Sequence, residues 1–498
     1  MGTTRIGRRG SRFVMGSALA AGLTLALTAS AAAQSPGTPP VPISSAPTTA
    51  PAFVGKVAKP NPIARGFAIP RDPFLAPNNR SNLHVDAYQS DAYNLAGPRG
   101  RNLGITSTLF TKLCGSLTFD SQGRILTICI GFAGPVLVMM DPTTLQTLAT
   151  FPLPGPQGSS GDPFLHISGG GYFYLDNKDR VVVPTNTRHI FVISEGGPSG
   201  FTQVADYDLT GVVPAGVGVL SDMPDWKGHI WFAAENGTVG WVDRRNGSIH
   251  PRNLNEQIAN SLATDPTGGV YIVTTRALYR LQASHGKAKV IWRAKYPNSG
   301  VSKPGQLSAG SGTTPTLVGK NEVAITDNAN RMHAIVYTRG RTGGGKEICR
   351  RGVFQAGAAD DENSLVSFGK ALIAENNYGY TEQSMEAGAL TSPGVTRIDV
   401  KKGRCRTIWT SQERVPSVVS KASLKSGLLY TYTRPPTSDG SQAWYFTALD
   451  LRTGKTVYSR LTGAGTLFNN HYAPVTIGRA GVAYVGVLGG LLRIADTG

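Results

Sequence analysis

The sequence predicts an all-β fold: a single β-propeller, eight four-stranded blades in the first count and seven in the alternative. Three observations carry this. A pair of apolar strands joined by a tight turn recurs eight times. Charged residues are only 16% of the 498 positions, too few for long solvated helices. Glycine, at 61 residues, supplies the tight turns that many short strands require. A hydrophobic share of 40% is that of a globular chain.

Residues 1–33 read as a secretory signal peptide. Arg5, Arg8, Arg9 and Arg12 form a basic start, residues 13–33 are apolar or small, and LTASAAA precedes Gln34, placing cleavage after Ala33. Arg8-Arg9 has the look of a twin-arginine signal, but Gly10-Ser11-Arg12 follows where such signals turn apolar. No later segment is long and apolar enough to span a bilayer, so no membrane anchor is expected after cleavage. Four of the arginines behind the formal charge of +18 lie in the signal, leaving about +14. Such a chain attracts anionic glycans, wall polymers or phosphate groups, while nucleic-acid binding has no motif behind it. The expected location is secreted, periplasmic or cell-surface, and the expected state monomeric.

Residues 34–80 are rich in Pro, Ser, Thr and Ala over QSPGTPPVPISSAPTTAPAF and beyond, and read as an extended leader or linker. Residues 81–498 are assigned to the propeller. Its hairpin turns are FDSQGRILTI, LDNKDRVVVP, DWKGHIWFA, TDPTGGVYIV, VGKNEVAIT, FGKALIA, LKSGLLYTY and IGRAGVAYV, about 40 to 56 residues apart. In the fourth repeat NSLATD, GGVYIVTT, RALYRLQ and AKVIWRAKY are the four strands from inside outward. The last repeat ends at VAYVGVLGGLLRIADTG with no outer strand, and NLGITSTLF at 102–110 is strand-like and unassigned, so it is expected to complete that blade and close the ring.

The segments ALDLRTGKTVYSRL, RIDVKKGRCRTIW, WVDRRNGSIH and MMDPTTLQTLATF share one plan of apolar strand, Asp, polar turn and strand. They resemble the third-to-fourth-strand turns of the quinoprotein alcohol dehydrogenase superfamily of eight-bladed propellers. The resemblance covers most of the chain as a fold signal and carries no chemistry by itself. It implies a quinone (PQQ) held between a tryptophan and a ring of adjacent cysteines, with calcium on acid and amide groups nearby. No two cysteines are adjacent here and no heme-attachment CxxCH exists, so PQQ is not expected. Glu375 with Asn376 has the donor types of the calcium site.

Four cysteines in an exported chain suggest two disulfides. With 121–122 as a two-residue hairpin loop, counting six residues out from Asp120 and from Gly123 sets Cys114 opposite Cys129. Cys349 and Cys405 then pair by elimination, linking outer parts of consecutive blades. Their spacing suits no zinc site.

In propellers of this kind, loops from second to third strand and from blade to blade gather on one face, where function usually sits. Those loops hold Arg188, Glu235, Asn236, Arg276, Asn328, Arg331, Asn376, Asn377, Tyr378, Asn470 and Tyr472 as candidate ligand contacts. ITDNANRMH and IAENNYGY occupy equivalent places in neighbouring repeats, and each ends a strand with an acid and one or more asparagines. Asp327 and Glu375 there are candidate ligands for a hard cation such as Ca²⁺, or partners for sugar hydroxyls beside a stacking tyrosine. His166, His333 and His471, with the two carboxylates, are the acid–base candidates. The insertion at 381–394 is long enough for a lid. Three functional classes follow: an exported protein binding a polar or anionic extracellular ligand (a glycan or wall polymer), a carbohydrate-active hydrolase or lyase, and a quinone-dependent dehydrogenase. A Ser-His-Asp hydrolase has no GxSxG elbow to announce it.

Overall fold

The computed structural model describes residues 2, 35–110, 112–131, 134–155 and 169–498; the signal segment and His166 lie outside them. Eight sheets, each with a run of four sequential or ring-closing strands, form the blades. Neighbouring blades pack face to face, as where Thr316–Val318 meets Val366–Phe368, or Ala483–Val487 meets Leu113–Phe119. The fourth blade is the predicted one: Ala263–Thr264, Val270–Val273, Ala277–Ser284 and Lys287–Lys295, each antiparallel to the next. The ring closes as expected, because Gly104–Leu109 pairs antiparallel with Gly490–Ala495 as the outer strand of the last blade. The only α-helix among the described residues is Glu382–Glu386.

The turn aspartates do what their positions suggest. Asp141, Asp243 and Asp450 each take the amide of the residue two further on through a side-chain oxygen, at 2.8, 3.0 and 2.9 Å. Asp399 does not: its strand runs on to Lys401, it pairs with Arg397, and the turn falls at Lys402-Gly403.

Both disulfides form as predicted, Cys114–Cys129 within the first blade and Cys349–Cys405 between the outer strands of the fifth and sixth. The first is reached by two offsets that cancel. Asp120 faces Arg124, not Gly123, so the loop has three residues. A bulge at Gly115 then restores the register that sets Cys114 opposite Cys129.

The folded unit begins well before residue 81. Residues 37–63 run extended along the propeller, held by Ile43 N–H to Ser107 Oγ, Leu109 N–H to the Val41 carbonyl, and the pairing of Phe53–Gly55 with the outer strand of the seventh blade. Residues 81–93, SNLHVDAYQSDAY, then thread the central channel and are almost wholly buried. Their carbonyls accept amides from the inner strands of five blades: Ser81 from Leu175, Ala87 from Thr264, Tyr88 from Leu317, Ser90 from Ser367, and Asp91 from Ala422. Inner strands have an unpaired edge toward the channel, and this plug satisfies it. Its apolar side chains divide among the inter-blade cores: Ala87 with blades two to four, Tyr88 with four and five, Val85, Ala92 and Tyr93 with six to eight. The plug turns sharply at Val85, whose φ of 82° is unusual for a β-branched residue. Ser81 Oγ donates to the Val85 carbonyl and Asn82 Oδ1 accepts the His84 amide, which hold that turn.

Candidate functional site

The plug fills the channel only in part. On the face carrying the second-to-third-strand and blade-to-blade loops it leaves a narrow central cavity of about 40 Å³ that opens to solvent. Leu83 and His84 of the plug form part of its lining. Leu113, Ile128 and Ile130 of the first blade, Tyr172, Leu307 and Val419 give mostly apolar walls, and Glu362, Asn363, Ser364, His471 and Tyr472 add polar groups. A few convergent polar groups in an apolar hollow are the usual make-up of a small-molecule site.

Residues 360–364, the DDENS entry to the sixth blade, supply most of the polarity. Asn377 fixes this segment: its Oδ1 accepts the Glu362 amide at 2.8 Å and its Nδ2 donates to the Val415 carbonyl at 3.2 Å. Asn376 adds bonds from the Asp360 and Tyr378 amides and to the Ala358 and Pro393 carbonyls. Asn363 donates to Glu375 Oε2 at 3.3 Å and to the Val418 carbonyl at 2.9 Å. Both carboxyl oxygens of Asp360 are buried without a hydrogen-bond partner, and Glu362, equally buried, has only the Leu307 amide beside its carboxyl. Burial pushes both carboxyls, and that of Asp361, well above the usual range. Gly305 closes over this segment at φ 113°, and a Cβ there would come within 2.6 Å of the Asn377 carbonyl and 2.7 Å of Asp360 Oδ2.

Beneath the cavity lies a buried polar chain. Ser364 Oγ is 3.1 Å from His84 Nε2, His84 Nδ1 is 3.0 and 3.1 Å from the Asp91 oxygens, and Lys421 donates to Asp91 Oδ1. Lys421 and Asp91 are fully buried as an ion pair. Burial lowers the His84 pKa and the Lys421 charge adds to that, while Asp91 opposes it.

The candidates from sequence separate into three groups. His471, Asn470, Tyr472, Glu375, Asn376 and Asn377 gather in or just behind the cavity. His471 Nδ1 lies 2.9 Å from the Tyr380 hydroxyl, Tyr472 donates to the Gly305 carbonyl, and Asn470 donates to the Gly486 carbonyl. A second group only builds loops. Glu235 accepts the Gly218 amide, Asn236 the Thr238 amide, Arg188 donates to the Val213 carbonyl, and Asn328 donates to Asn298 Oδ1 and the Val301 carbonyl. Arg276, beside an open groove, and Arg331 are exposed, and Tyr378 is half-buried. Asp327 and His333 form a third, local pair: Asp327 takes the His333 amide at 2.8 Å and its Nδ1 at 2.8 Å, which ties off the loop.

Asp327 and Glu375 therefore have different partners, His333 for one and Asn363 with the Lys421–Asp91 pair nearby for the other. No group of three or more His, Cys, Asp or Glu among the described residues is arranged to hold a metal ion. The disulfides lie within one blade and between two outer strands, so neither forms the adjacent-cysteine ring of a PQQ site. The 381–394 insertion is docked: Met385 is buried in the core of blades six to eight, and Arg414 and Arg434 hold the Thr391 and Ala389 carbonyls. His84, Asp91 and Ser364 escaped sequence reading because the first two sit in the plug, which has no repeat signature. The clustered turn-formers of SNLHVDAYQSD were the one available signal.

The chain is thus an eight-bladed β-propeller with a plugged channel, the architecture its turn motifs resemble. No family model matches it. An uncharacterized protein of Archaeoglobus fulgidus is 28% identical over 369 residues, covering 66% of this chain and 70% of that one. Among solved structures, BamB from Moraxella catarrhalis aligns at TM-score 0.41 and 12% identity, over 63% of this chain and 93% of its own. A streptogramin B lyase aligns at 0.40 and 11%, over 79% and 97%. The Dos1 propeller aligns at 0.44 and 11%, over 64% and 74%.

Proposed function

We propose that this is an exported propeller protein that binds a small polar-headed ligand in the central cavity of its loop face. The observation that carries this reading is Glu362, a buried carboxyl with the Leu307 amide beside it and at least one oxygen left without a partner, set in the wall of a mostly apolar hollow. A buried polar group without a partner costs about 1–3 kcal/mol, and a ligand hydroxyl, amine or carbonyl removes that cost. The described lining includes no Lys or Arg, and Lys421 behind it is spent on Asp91. The cavity therefore favours a neutral or cationic head over an anionic one; glycan or wall-polymer contact would belong to the basic exterior. Two disulfides and the signal-like start fit an oxidising, extracytoplasmic compartment, and no described helix is long and apolar enough to cross a membrane.

A thermal-shift screen with short aliphatic and aromatic alcohols, amines and esters tests this. Hits should raise the melting temperature of the native protein, Glu362→Gln should keep them, and Glu362→Leu should lose them. Hits unchanged in Glu362→Leu would remove the reading.

A further inference from the structure

We propose that Ser364, His84 and Asp91 form a nucleophile–base–orienter chain that hydrolyses esters admitted to the central cavity. This rests on the ligand-binding reading of the same cavity and adds a reaction to it. The distances are those of a working triad: 3.1 Å from Ser364 Oγ to His84 Nε2, and 3.0 Å from Nδ1 to Asp91. Such a set is recognised by geometry and roles, whatever its chain order and with or without a GxSxG turn.

The tautomer is determined by the surroundings. Asp91 is paired with Lys421 and accepts from Nδ1–H, which leaves Nε2 free to accept the serine hydroxyl. Burial, with the Lys421 charge adding to it and Asp91 opposing, lowers the His84 pKa and so favours the neutral imidazole a general base needs. Ser364 and His84 both line the cavity, so the hydroxyl lies at its wall. Glu362, two residues before the serine and on the same wall, is a buried carboxyl whose pKa burial raises, which favours the O–H form that can donate to a carbonyl oxygen. A purely architectural serine would need none of this alignment, and an apolar residue would pack the wall as well.

The step balances without a cofactor. Ser364 Oγ attacks the ester carbonyl carbon as its proton passes to His84 Nε2. The tetrahedral adduct collapses, the carbon–oxygen bond to the alcohol breaks, and the alcohol leaves with the proton from Nε2. Water repeats the sequence on the acyl-serine, releasing the acid and restoring the hydroxyl. The class of substrate is a small ester with apolar acyl and alcohol parts.

The test uses the mature full-length protein, a fluorophosphonate and p-nitrophenyl esters from acetate to octanoate. One phosphonyl adduct should map to the peptide containing Ser364, and esters should turn over above buffer. Ser364→Ala should abolish both. His84→Gln, which can still hydrogen-bond on both sides, should slow labelling by about a hundredfold or more. Ser364→Cys should become reactive to iodoacetamide. Folded native protein with no adduct on Ser364 overturns the proposal, as does ester turnover that survives Ser364→Ala. Thermal-shift hits that persist in Ser364→Ala while native protein fails to label would sink the nucleophile alone and leave the binding site standing.

Discussion

Replacing Glu375 by glutamine should remove its share of the fall in stability between pH 5 and 8. Glu375 ends the second strand of the sixth blade and is 2% exposed. Burial pushes its carboxyl up to about 8; Ser420 and Lys421 pull the other way, and Asp91 adds to the rise. In the unfolded chain the ordinary value of 4.5 applies. Between those values the native state holds a proton that the unfolded state has lost. Stability from this group is therefore full below pH 4.5 and is lost as pH rises to about 8. At about 1.36 kcal/mol per pH unit, the gap corresponds to roughly 5 kcal/mol, about 4 of it between pH 5 and 8. Glutamine matches the protonated form in shape, can accept the Asn363 bond, and does not titrate. The Lys421–Asp91 pair is common to both proteins, so the difference isolates Glu375. Urea unfolding followed by tryptophan fluorescence at pH 5, 6, 7 and 8 measures it. The variant should gain on the native protein steadily with pH. A native-minus-variant difference that stays constant within about 0.5 kcal/mol across that range would refute the burial argument.

Three further outcomes follow from the fold. Converting Cys349 and Cys405 together to alanine opens a cross-link between residues 56 apart; chain entropy puts the loss near 4 kcal/mol, and an unchanged urea midpoint would show that the outer strands need no tie. Tyr88→Ala removes a buried ring that stacks under Arg339 at 4.6 Å and accepts a hydrogen bond from it, so it should cost about 3–5 kcal/mol in the same assay, far above an exposed substitution such as Arg276→Ala. Hydrogen exchange should find the amides of Thr264, Leu317, Ser367 and Ala422 protected close to the global limit, since plug carbonyls cover them; fast exchange at all four would mean the plug leaves the channel readily.

The sequence by itself determined the blades. Period-two strands, Asp-headed turns and glycines at fixed offsets are local signals, and a repeated local signal is legible without any contact map. That is why the fourth blade, a closing strand within 102–110 and the Cys114–Cys129 pair could be read directly, the last even through two offsets that cancel, and Cys349–Cys405 then followed by elimination. Asn376, Asn377, His471 and Tyr472 could be placed on the loop face because they lie on loops whose position in a blade is known. Asp327 looked equivalent to Glu375 along the chain, yet one is tied off by its own His333 and the other is buried beside Lys421. Only the tertiary structure decided the plug and what it meets. Residues 81–93 have no strand period, and their order comes from inner-strand amides supplied by five blades, the farthest from Ala422 to Asp91. The Ser364–His84–Asp91–Lys421 chain is likewise assembled from three distant segments. Its groups are brought together by closure of the ring, a long-range event that no pattern in consecutive residues encodes.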